Sequence, residues 1–349
     1  MTEKAGTQAR SPHPTVSDVA ALAGVSRAAV SQVFNNKGSI SEVTKQRIRQ
    51  AAGTLNWTPS PTAVALRRSR FQTVGLVLNR ASEVGATGAA LITGLESLLS
   101  PRDYGLLLYL VDRHSGQEAE FYRGLASARR VDGFILTDSL VGDTRFELMR
   151  SLGLTAVLIG TPWIDDPVPH VDTDDPGAGI AESVEHLVAL GHRRLAYVGG
   201  PADRVPAVRR RGAFEKTLAA AGLTSVATIT TNYSTESAAQ RTRELLDLAC
   251  PPTAVLYGTD EMAIAGLRTA KMCGVRVPED LSVIGFDGLP LGEWMDPQLT
   301  TVRRDVVERG RAAAAVLLRL LGETVEGDYP LTYPQLVLRG STAPPPQDD

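Results

Sequence analysis

The stretch TVSDVAALAGVSRAAVSQVFNN, residues 15–36, decides how the N-terminal part of the chain folds. Its Ser17 and Ser26 each precede a short run of helix-forming residues, and serine hydroxyls accept hydrogen bonds from the N–H groups that begin a helix. Gly24 lies between the two runs and provides the permissive backbone of a tight turn. The pattern therefore predicts two short helices joined by a turn, which is a helix-turn-helix.

A third helix is predicted directly after this pair. It begins with a cap at Ser41 and runs to about Leu55, with its basic side chains largely on the face opposite the apolar one. A plain three-helix packing unit without a partner is the alternative. The residues expected to pack together in the three helices are Val19, Ala20, Leu22, Val30, Val33, Val43, Ile48, Ala51, Ala52 and Leu55.

Charge is unevenly distributed along the chain. The whole chain carries a net charge of −3 at pH 7, yet residues 1–70 contain ten Lys and Arg against three Asp and Glu. A basic N-terminal segment on an acidic remainder is typical of a nucleic-acid-binding head attached to a soluble body. A basic, solvated face without a partner is the alternative interpretation.

From residue 72 onward, apolar runs alternate with amphipathic helical stretches. The runs are nearly continuous, as in strands buried on both faces of a parallel sheet. The alternation predicts a doubly wound α/β fold whose ligands bind at the carboxyl ends of the strands. Strands are predicted at 73–78, 104–111, 131–136, 155–160, 194–200, 253–258 and 281–287, and helices at 177–190, 210–221, 235–248, 260–273 and 305–321.

Several function classes lack their signatures in this sequence. No apolar run approaches the roughly 18 residues of a membrane span, and the N-terminal segment shows no secretory signal. Cys250 and Cys273 are too few for a disulfide framework and lack metal-ligand spacing. Dinucleotide, P-loop, hydrolase and zinc-protease motifs are absent as well. We therefore expect a cytoplasmic protein that is not an enzyme and has no cofactor, no metal and no membrane partner.

The segments TVSDVAALAGVSRAAVSQVFNN, SEVTKQRI and LNWTPSPTAVALRR resemble the DNA-binding head of the LacI/GalR family of bacterial transcription regulators. The segments HLVALGHRRLAYVGGP, GTDEMAIAGLRTAKMCGVRVPEDLSVIGFDG and PQLTTVRRD are similar to the effector domain of that family. The resemblance implies an N-terminal all-α helix-turn-helix head. It also implies an α/β effector domain of two Rossmann-like lobes, of the periplasmic-binding-protein type I, with a small ligand in the cleft between them.

The resemblance also implies limits for the domains. They are a disordered tail at 1–14, a helix-turn-helix domain at 15–58, a hinge at 59–70, a two-lobed effector and dimerisation domain at 71–342, and a flexible tail at 343–349. The first lobe would comprise about 71–172 and 303–335, and the second about 173–302 and 336–342.

By the same resemblance, the second helix lies in the major groove of DNA. The fork of Arg27 suits a guanine edge, and the amide of Gln32 suits an adenine. Ala28 offers only a methyl contact, so we expect one weakly read base pair in each half of the operator. The positions that match base contacts are Arg27, Ala28 and Gln32, and those that match phosphate contacts are Ser26, Ser31, Asn35 and Thr44.

The segment PSPTAVALRRSR, residues 59–70, matches the hinge of the family, which is helical when two hinges meet in the minor groove of the operator. Ala63 is small enough for close contact with the partner hinge. Leu66 matches an apolar wedge that enters between base pairs and kinks the duplex, and Arg67 lies where phosphates pass. An ordinary linker with an incidental leucine is the alternative.

Effector contacts are implied mainly in the second lobe. Arg210 matches an arginine that grips ligand oxygens, although Arg209 or Arg211 could be its counterpart. Asp287 matches an aspartate that accepts hydrogen bonds from sugar hydroxyls. The other implied positions are Tyr233, where an aromatic ring stacks on a sugar, and Thr259, Asp260 and Arg304. In the first lobe the candidates are Asn79 and Arg80, by position only, and Trp163, by its indole face.

Each of the main effector candidates also has a structural interpretation. Arg210 could cap its helix and pair with Glu215, and Asp287 could hold a turn beside Gly288. Tyr233 could belong to the core, and Trp163 could be a surface or dimer-contact residue.

The resemblance implies a homodimer that binds double-stranded operator DNA of near-palindromic sequence. We expect a repressor of carbohydrate-utilisation genes, whose operator affinity changes when a sugar or sugar derivative binds in the cleft between the lobes. This coupling of two sites is allostery. The alternatives are a transport-type sugar-binding protein, which the basic head and the missing signal disfavour, and a regulator that responds to a non-sugar effector such as a purine. An anionic or phosphorylated sugar also stays open.

Overall fold

A computed structural model describes residues 14–34, 38–58, 70–79, 85–111, 117–163, 168–173 and 177–346. The chain divides into two compact units, Met1–Phe71 and Gln72–Asp349. The described part of the first unit is helical, and the described part of the second combines helices with two sheets.

The first unit contains helices α1 (Val16–Ala23), α2 (Arg27–Phe34) and α3 (Glu42–Thr54). The predicted caps of α2 and α3 are confirmed, because Ser26 accepts a hydrogen bond from the N–H of Ala29 and Ser41 accepts one from the N–H of Thr44, the third residue of each helix. The predicted cap at Ser17 is wrong. The N-cap of α1 is Thr15, whose N–H and hydroxyl both donate to Asp18, and Gly24 ends the helix in the left-handed conformation.

The apolar faces of these helices form one small core. Two residues predicted to belong to it do not, because Leu22 is 54% exposed on α1 and Val43 is 78% exposed on α3. At about 100° of rotation per residue, neither shares a face with the buried positions of its own helix. The core consists of Val19, Ala20, Ala23, Val30, Val33, Ile48, Ala51 and Ala52.

The first sheet of the second unit is parallel, with strand order β2-β1-β3-β4-β5. Its core clusters lie on both faces of the sheet, as the continuous apolar runs predicted. The elements are β1 (Thr73–Asn79), α4 (Ala86–Leu99), β2 (Gly105–Val111), α5 (Glu118–Ser127), β3 (Gly133–Leu136), α6 (Arg145–Ser151), β4 (Thr155–Ile159) and β5 (His170–Val171).

The second sheet has the order β11-β10-β9-β8-β6-β7 and is parallel except for the pair β10 and β11. Helix α8 begins five residues before its predicted start, because a proline in its first turn is compatible with a helix N-terminus. The elements are α7 (Ala178–Ala189), β6 (Leu195–Gly199), α8 (Val205–Ala220), β7 (Ala227–Thr230), α9 (Thr235–Leu246), β8 (Ala254–Tyr257), α10 (Asp260–Met272), β9 (Ser282–Asp287), β10 (Thr300–Arg303), α11 (Val306–Leu320) and β11 (Gln335–Val337).

The chain crosses between the two sheets more than once. After β10 it returns to the first sheet, where α11 packs against α4 and contributes Ala312 to Leu318 to the core. It then crosses back to add β11 to the second sheet. We call the body around the first sheet the first lobe and the body around the second sheet the second lobe.

The last described residues are bound to the second lobe. The N–H of Ala343 donates to Ser282 over 3.1 Å, and its carbonyl lies 2.9 Å from a ring nitrogen of the buried His192. Residues 343–346 were predicted to start a flexible tail, whereas Ala343 is held by these contacts. Residues 347–349 lie outside the described part of the chain.

Helices α4 and α11 approach so closely that their contact requires glycine. A Cβ atom on Gly310 would lie 2.5 Å from the carbonyl oxygen of Leu91 and 3.0 Å from the nitrogen of Leu95. We expect Gly310→Ala to lower the free energy of unfolding by about 1–3 kcal/mol, because the helices must separate. Thermal or urea unfolding measures the change. Gly124→Ala on α5 is the control, since nothing lies within 4 Å of its new Cβ. An equal loss in both variants would contradict the close-contact explanation.

Candidate DNA-binding and effector sites

The residues predicted to read DNA bases share one face of α2. Arg27, Ala28 and Gln32 are exposed, whereas Val30 and Val33 of the same helix are buried against the other two helices. An exposed helix face that carries an arginine and a glutamine can enter the major groove and reach base edges. Helix α2 is therefore the candidate recognition helix.

Three of the four predicted phosphate-contacting residues lie in the described part of the chain, on or directly before α2 and at the start of α3. Ser26 is exposed at the N-terminus of α2, where its hydroxyl accepts from Ala29 over 3.1 Å, and Ser31 is half-buried. The hydroxyl of Thr44 lies 2.9 Å from that of Ser41 at the start of α3. Asn35, and the hinge residues Ala63, Leu66 and Arg67, lie outside the described residues.

A cavity of about 220 Å³ lies between the two lobes of the second unit. Its walls include residues at or directly after the carboxyl ends of β3, β4, β5, β8, β9 and β10, together with residues from the N-terminal halves of α4, α8 and α11. The carboxyl ends of parallel strands meet at one edge of a sheet, so both lobes direct their strand ends at the same cavity. This is the place that the doubly wound fold predicts for a ligand.

Arg210 lies on the second-lobe wall of the cavity. Its Nη1 donates to the carbonyl of Gly258 over 2.7 Å, and its guanidinium carbon lies 3.6 Å from the ring centre of Phe286. The pairing with Glu215 that Arg210 might have made belongs instead to Arg211, at 2.8 Å on the helix surface. Arg209 also lines the cavity, but it is exposed.

Asp287, which is buried, and Arg304, which is half-buried, form an ion pair on the same wall. Nε and Nη2 of Arg304 lie 2.8 and 2.7 Å from Oδ1 of Asp287. Burial opposes the charged form of Arg304, but the Asp287 carboxylate outweighs this effect and raises the pKa of the guanidinium. Asp287 has a φ of 124°, in a region that favours glycine, at the point where β9 ends. The turn therefore aims a charged side chain into the cavity.

Tyr233 and Thr259 complete the sequence-predicted part of this wall. The ring of Tyr233 lies over Gly200, where a Cβ atom would overlap it, and burial raises the pKa of its hydroxyl to about 12. Thr259 caps α10 by accepting a hydrogen bond from the N–H of Met262 over 3.2 Å. Both residues line the cavity and also serve the local fold.

Asp260 does not line the cavity, contrary to its prediction as an effector contact. It is fully buried, with its carboxylate accepting from the N–H of Leu289 over 2.6 Å and from the hydroxyl of Thr301 over 2.5 Å. Burial, reinforced by the nearby Asp287 carboxylate, raises the pKa of Asp260 to about 6. Its hydrogen bonds fix the turn that follows Asp287, so Asp260 supports the site from behind.

The first-lobe candidates from the sequence do not line the cavity in the part of the chain that the structure describes. Trp163 is 43% exposed and Asn79 is buried at the end of β1, and neither is among the lining residues. Arg80 lies outside the described residues. The aromatic stacking suggested for Trp163 therefore has no support from its position.

A polar set that the sequence interpretation missed forms part of the first-lobe wall. Arg309 on α11 places Nη2 2.6 Å from Oδ1 of Asp172, and the hydroxyl of Thr161 donates to Oδ2 of Asp172 over 2.6 Å. Ser139 and Thr173 lie beside them. All except Arg309 directly follow β3, β4 or β5, so polar residues after a buried apolar run were the signal available in the sequence.

The two lobes contact each other at one rim of the cavity. Arg204, at the N-terminus of α8, places Nη1 3.0 Å from Oδ2 of Asp138. The N–H of Val205 donates to the carbonyl of Ser139 over 3.0 Å. The N–H of Val141 donates to the carbonyl of Asp203 over 2.9 Å. Direct contacts of this kind couple the position of one lobe to the other.

The helix-turn-helix unit and the two-lobed ligand-binding unit define a DNA-binding regulator of transcription. Residues 15–60 match the model of bacterial regulatory proteins of the lacI family, and residues 184–342 match that of a periplasmic binding protein-like domain. The chain is 33% identical over 325 residues to the HTH-type transcriptional regulator CelR of Thermobifida fusca, covering 91% of this chain and 95% of CelR. The chain belongs to the LacI family.

Two solved structures of the family match most of the chain. The lac repressor dimer bound to operator and the anti-inducer ONPF has a TM-score of 0.83 at 27% identity, over 95% of this chain and 100% of that one. A complex of the transcriptional regulator CelR with cellobiose has a TM-score of 0.68 at 31% identity, over 94% and 99%. These matches support the fold of both units.

The described residues show neither a metal-binding cluster nor a membrane-spanning helix. They bring together no group of three or more His, Cys, Asp or Glu side chains that could hold a metal ion. No described helix combines the length and the apolar character that crossing a bilayer requires.

Proposed function

We propose that this chain is a cytoplasmic, homodimeric repressor of carbohydrate-utilisation genes, without enzymatic activity. It binds a near-palindromic operator through α2, and a sugar or sugar derivative in the interlobe cavity changes its operator affinity. The domain limits given above, with a hinge at 59–70, belong to this proposal. Support comes from relatives named as regulators, from a lac repressor that binds operator as a dimer, and from a CelR that binds cellobiose.

One observation carries the proposal of a small-molecule effector. The interlobe cavity brings Arg210 and the ion pair of Asp287 and Arg304 to one wall, at the carboxyl ends of the second-lobe strands. Oriented guanidinium donors and a carboxylate acceptor suit the hydroxyl groups of a sugar. A ligand that contacts both lobes prefers one arrangement of the lobes, and only such a preference can change the affinity for DNA.

A transport-type binding protein is disfavoured by the helix-turn-helix unit, which lies in a basic N-terminal segment and exposes Arg27 and Gln32 on α2. A DNA-binding measurement distinguishes the regulator from the transport-type protein. The full chain should bind an operator-like palindromic duplex, with an affinity that falls steeply as salt rises, because bound cationic side chains release counterions from the phosphates. Fluorescence anisotropy at several salt concentrations measures this. No binding, or binding without salt dependence, would contradict the proposal.

We expect Asp287→Asn to weaken binding of the effector at least about tenfold, because an ionised acceptor of ligand hydroxyls becomes a neutral amide. A thermal-shift screen with glucose, ribose, maltose and cellobiose identifies the sugar that stabilises the wild-type chain most. The same sugar should stabilise the variant less and change its operator affinity less. Asp247→Asn, on the exposed end of α9, is the control. A full shift in Asp287→Asn would remove Asp287 from the site.

A further inference from the structure

Three buried polar atoms on the first-lobe wall have no hydrogen-bond partner among the described residues. They are Oγ of Ser139, Oγ1 of Thr173 and Nε of Arg309. The three residues are 2%, 8% and 8% exposed, and all three line the interlobe cavity. Buried polar groups are nearly always hydrogen-bonded, and an unpaired one costs about 1–3 kcal/mol. Three such unpaired atoms on one wall of one cavity indicate a surface whose hydrogen bonds a bound ligand supplies.

Most of the charged side chains that line this cavity are already paired within the protein. The described lining contains four arginines and four acids. Arg309 pairs with Asp172, Arg304 with Asp287, and Asp138 with Arg204 behind it, so these charges have partners within the protein. Burial opposes the ionised form of Asp172, but Arg309 outweighs it and lowers the pKa of the carboxyl, while burial lowers the pKa of the Arg309 guanidinium. The other charged lining residues, Arg209, Arg210 and Glu261, leave the described lining with no net formal charge. An ionic ligand would have to compete with the existing pairs or add an uncompensated charge, whereas an uncharged ligand would do neither.

Aromatic surface contributes little to the cavity. The described lining contains Phe286 and Tyr233 and no aromatic residue of the first lobe. The guanidinium of Arg210 covers the face of Phe286 at 3.6 Å, so this ring is not available to stack on a ligand. A flat heterocycle such as a purine gains most from stacking, whereas a polyol gains most from hydrogen bonds. The first-lobe wall offers hydrogen bonds.

We propose that the effector is an uncharged, polyhydroxylated molecule, and that Ser139, Thr173 and Arg309 bind its hydroxyl groups and determine its specificity. The Nε–H of Arg309 donates to a ligand oxygen, and the hydroxyls of Ser139 and Thr173 donate to or accept from neighbouring ones. This inference rests on the proposed function, because it assumes that the cavity is the effector site. It adds a first-lobe contact set and excludes phosphorylated sugars and purines as the preferred class.

The test uses the full chain and measures dissociation constants by calorimetry. The probes are glucose, ribose, maltose and cellobiose, with glucose 6-phosphate, ribose 5-phosphate and adenosine as their charged or aromatic counterparts. Wild type should bind one of the neutral sugars most tightly. Ser139→Ala and Thr173→Val should each weaken that binding ~5–10-fold, which is the loss of about one hydrogen bond. Arg309→Lys keeps the charge beside Asp172 but lacks the Nε–H donor, and should weaken binding by at least as much.

The stability of the sugar-free variants separates binding from a structural role. Ser139→Ala and Thr173→Val remove hydroxyls that have no described partner, so melting temperatures without sugar should stay the same or rise, while sugar affinity falls. A residue that only supports the fold would lower both. Ser127→Ala, on the outer helix α5 where its hydroxyl donates to Gly124, is the matched control and should leave sugar affinity unchanged.

The experiment distinguishes results that contradict this inference alone from results that also contradict the proposed function. Wild-type sugar affinity in all three variants, with weakened binding in Asp287→Asn, would overturn this inference alone. Tighter binding of a phosphorylated sugar or of adenosine than of every neutral sugar would overturn the class of effector proposed here. If no neutral sugar binds the wild-type chain, the sugar-responsive function and this inference both fail.

Discussion

Replacing Arg145 by methionine is expected to lower the free energy of unfolding of the two-lobed unit by about 3–5 kcal/mol. Arg145 begins α6 and is almost completely buried, with its Nη2 2.7 Å from Oδ2 of Asp143 and its Nη1 3.5 Å from Glu118. Burial opposes its charge, but Asp143 outweighs this effect and raises the pKa of the guanidinium. Methionine would leave both carboxylates in the interior without their cation.

The same guanidinium also supports the effector cavity. Nη1 of Arg145 donates to the carbonyl of Thr137 over 2.9 Å, and Nη2 donates to that of Asp138 over 3.2 Å. These two residues line the cavity at the end of β3. Arg145→Met should therefore weaken sugar binding in addition to lowering stability, because the segment that holds Asp138 and Ser139 loses its anchor.

Urea unfolding of the wild-type and variant chains measures the stability change. Arg145→Lys should lose less, because lysine keeps the charge but not the fork of donors. The control is Arg211→Met, which removes an exposed arginine paired with Glu215, and surface pairs contribute at most about 1 kcal/mol. A loss of less than about 1 kcal/mol in Arg145→Met would show that the buried carboxylates adapt without their partner.

Asp260 is expected to make the stability of the two-lobed unit fall as pH rises from about 4 to 6. Its pKa in the folded chain is raised from the usual 3.8 to about 6, so between these values the folded state holds a proton that the unfolded state has released. Stability is therefore highest on the acidic side of this window and is lost as pH rises through it. At about 1.4 kcal/mol per pKa unit, the effect approaches about 3 kcal/mol.

Asp260→Asn isolates this effect from other titrating groups. Buried His192 acts in the opposite direction, because burial lowers its pKa and its contribution to stability is lost as pH falls. The quantity to measure is therefore the difference between the unfolding free energies of wild type and Asp260→Asn. As pH falls through the whole titration range of Asp260, that difference should grow in favour of wild type by about 3 kcal/mol. About half of the gain is expected between pH 7 and pH 5.

A second variant tests the assignment to Asp260. The hydroxyl of Thr301 donates to the Asp260 carboxylate and lowers its pKa, so Thr301→Val should move the pH window upward. Parallel stability curves for wild type and Asp260→Asn across pH 4–7 would show that the buried carboxyl does not titrate there.

The sequence predicted most of the secondary structure and much of the second-lobe wall. Continuous apolar runs gave the strands because parallel strands are buried on both faces, and the caps at Ser26 and Ser41 gave two of the helix starts. The resemblance to the family predicted Arg210, Asp287 and Arg304 as effector contacts, and all three line one cavity wall. The errors in the helical unit, Ser17, Leu22 and Val43, are all errors of helical phase or helix start.

The sequence could not separate contact from support in the effector site. Thr259 and Asp260 are adjacent in the sequence, yet Thr259 lines the cavity whereas Asp260 is fully buried behind it. Trp163 looked like a ligand platform, but its indole lies away from the described lining. Neighbours in a chain can point in opposite directions at a helix N-terminus, and the direction depends on the turn geometry rather than on residue type.

Local patterns in the sequence determined the class of fold, the candidate recognition helix and the charge asymmetry between the first 70 residues and the rest, because each depends on residues close together in the chain. Only the tertiary structure decided which polar residues share the first-lobe wall. Ser139, Thr173 and Arg309 come from the ends of β3 and β5 and from α11, which returns to the first lobe after the chain has built most of the second. Their shared position depends on how the sheets and helices pack, and no local pattern encodes that packing.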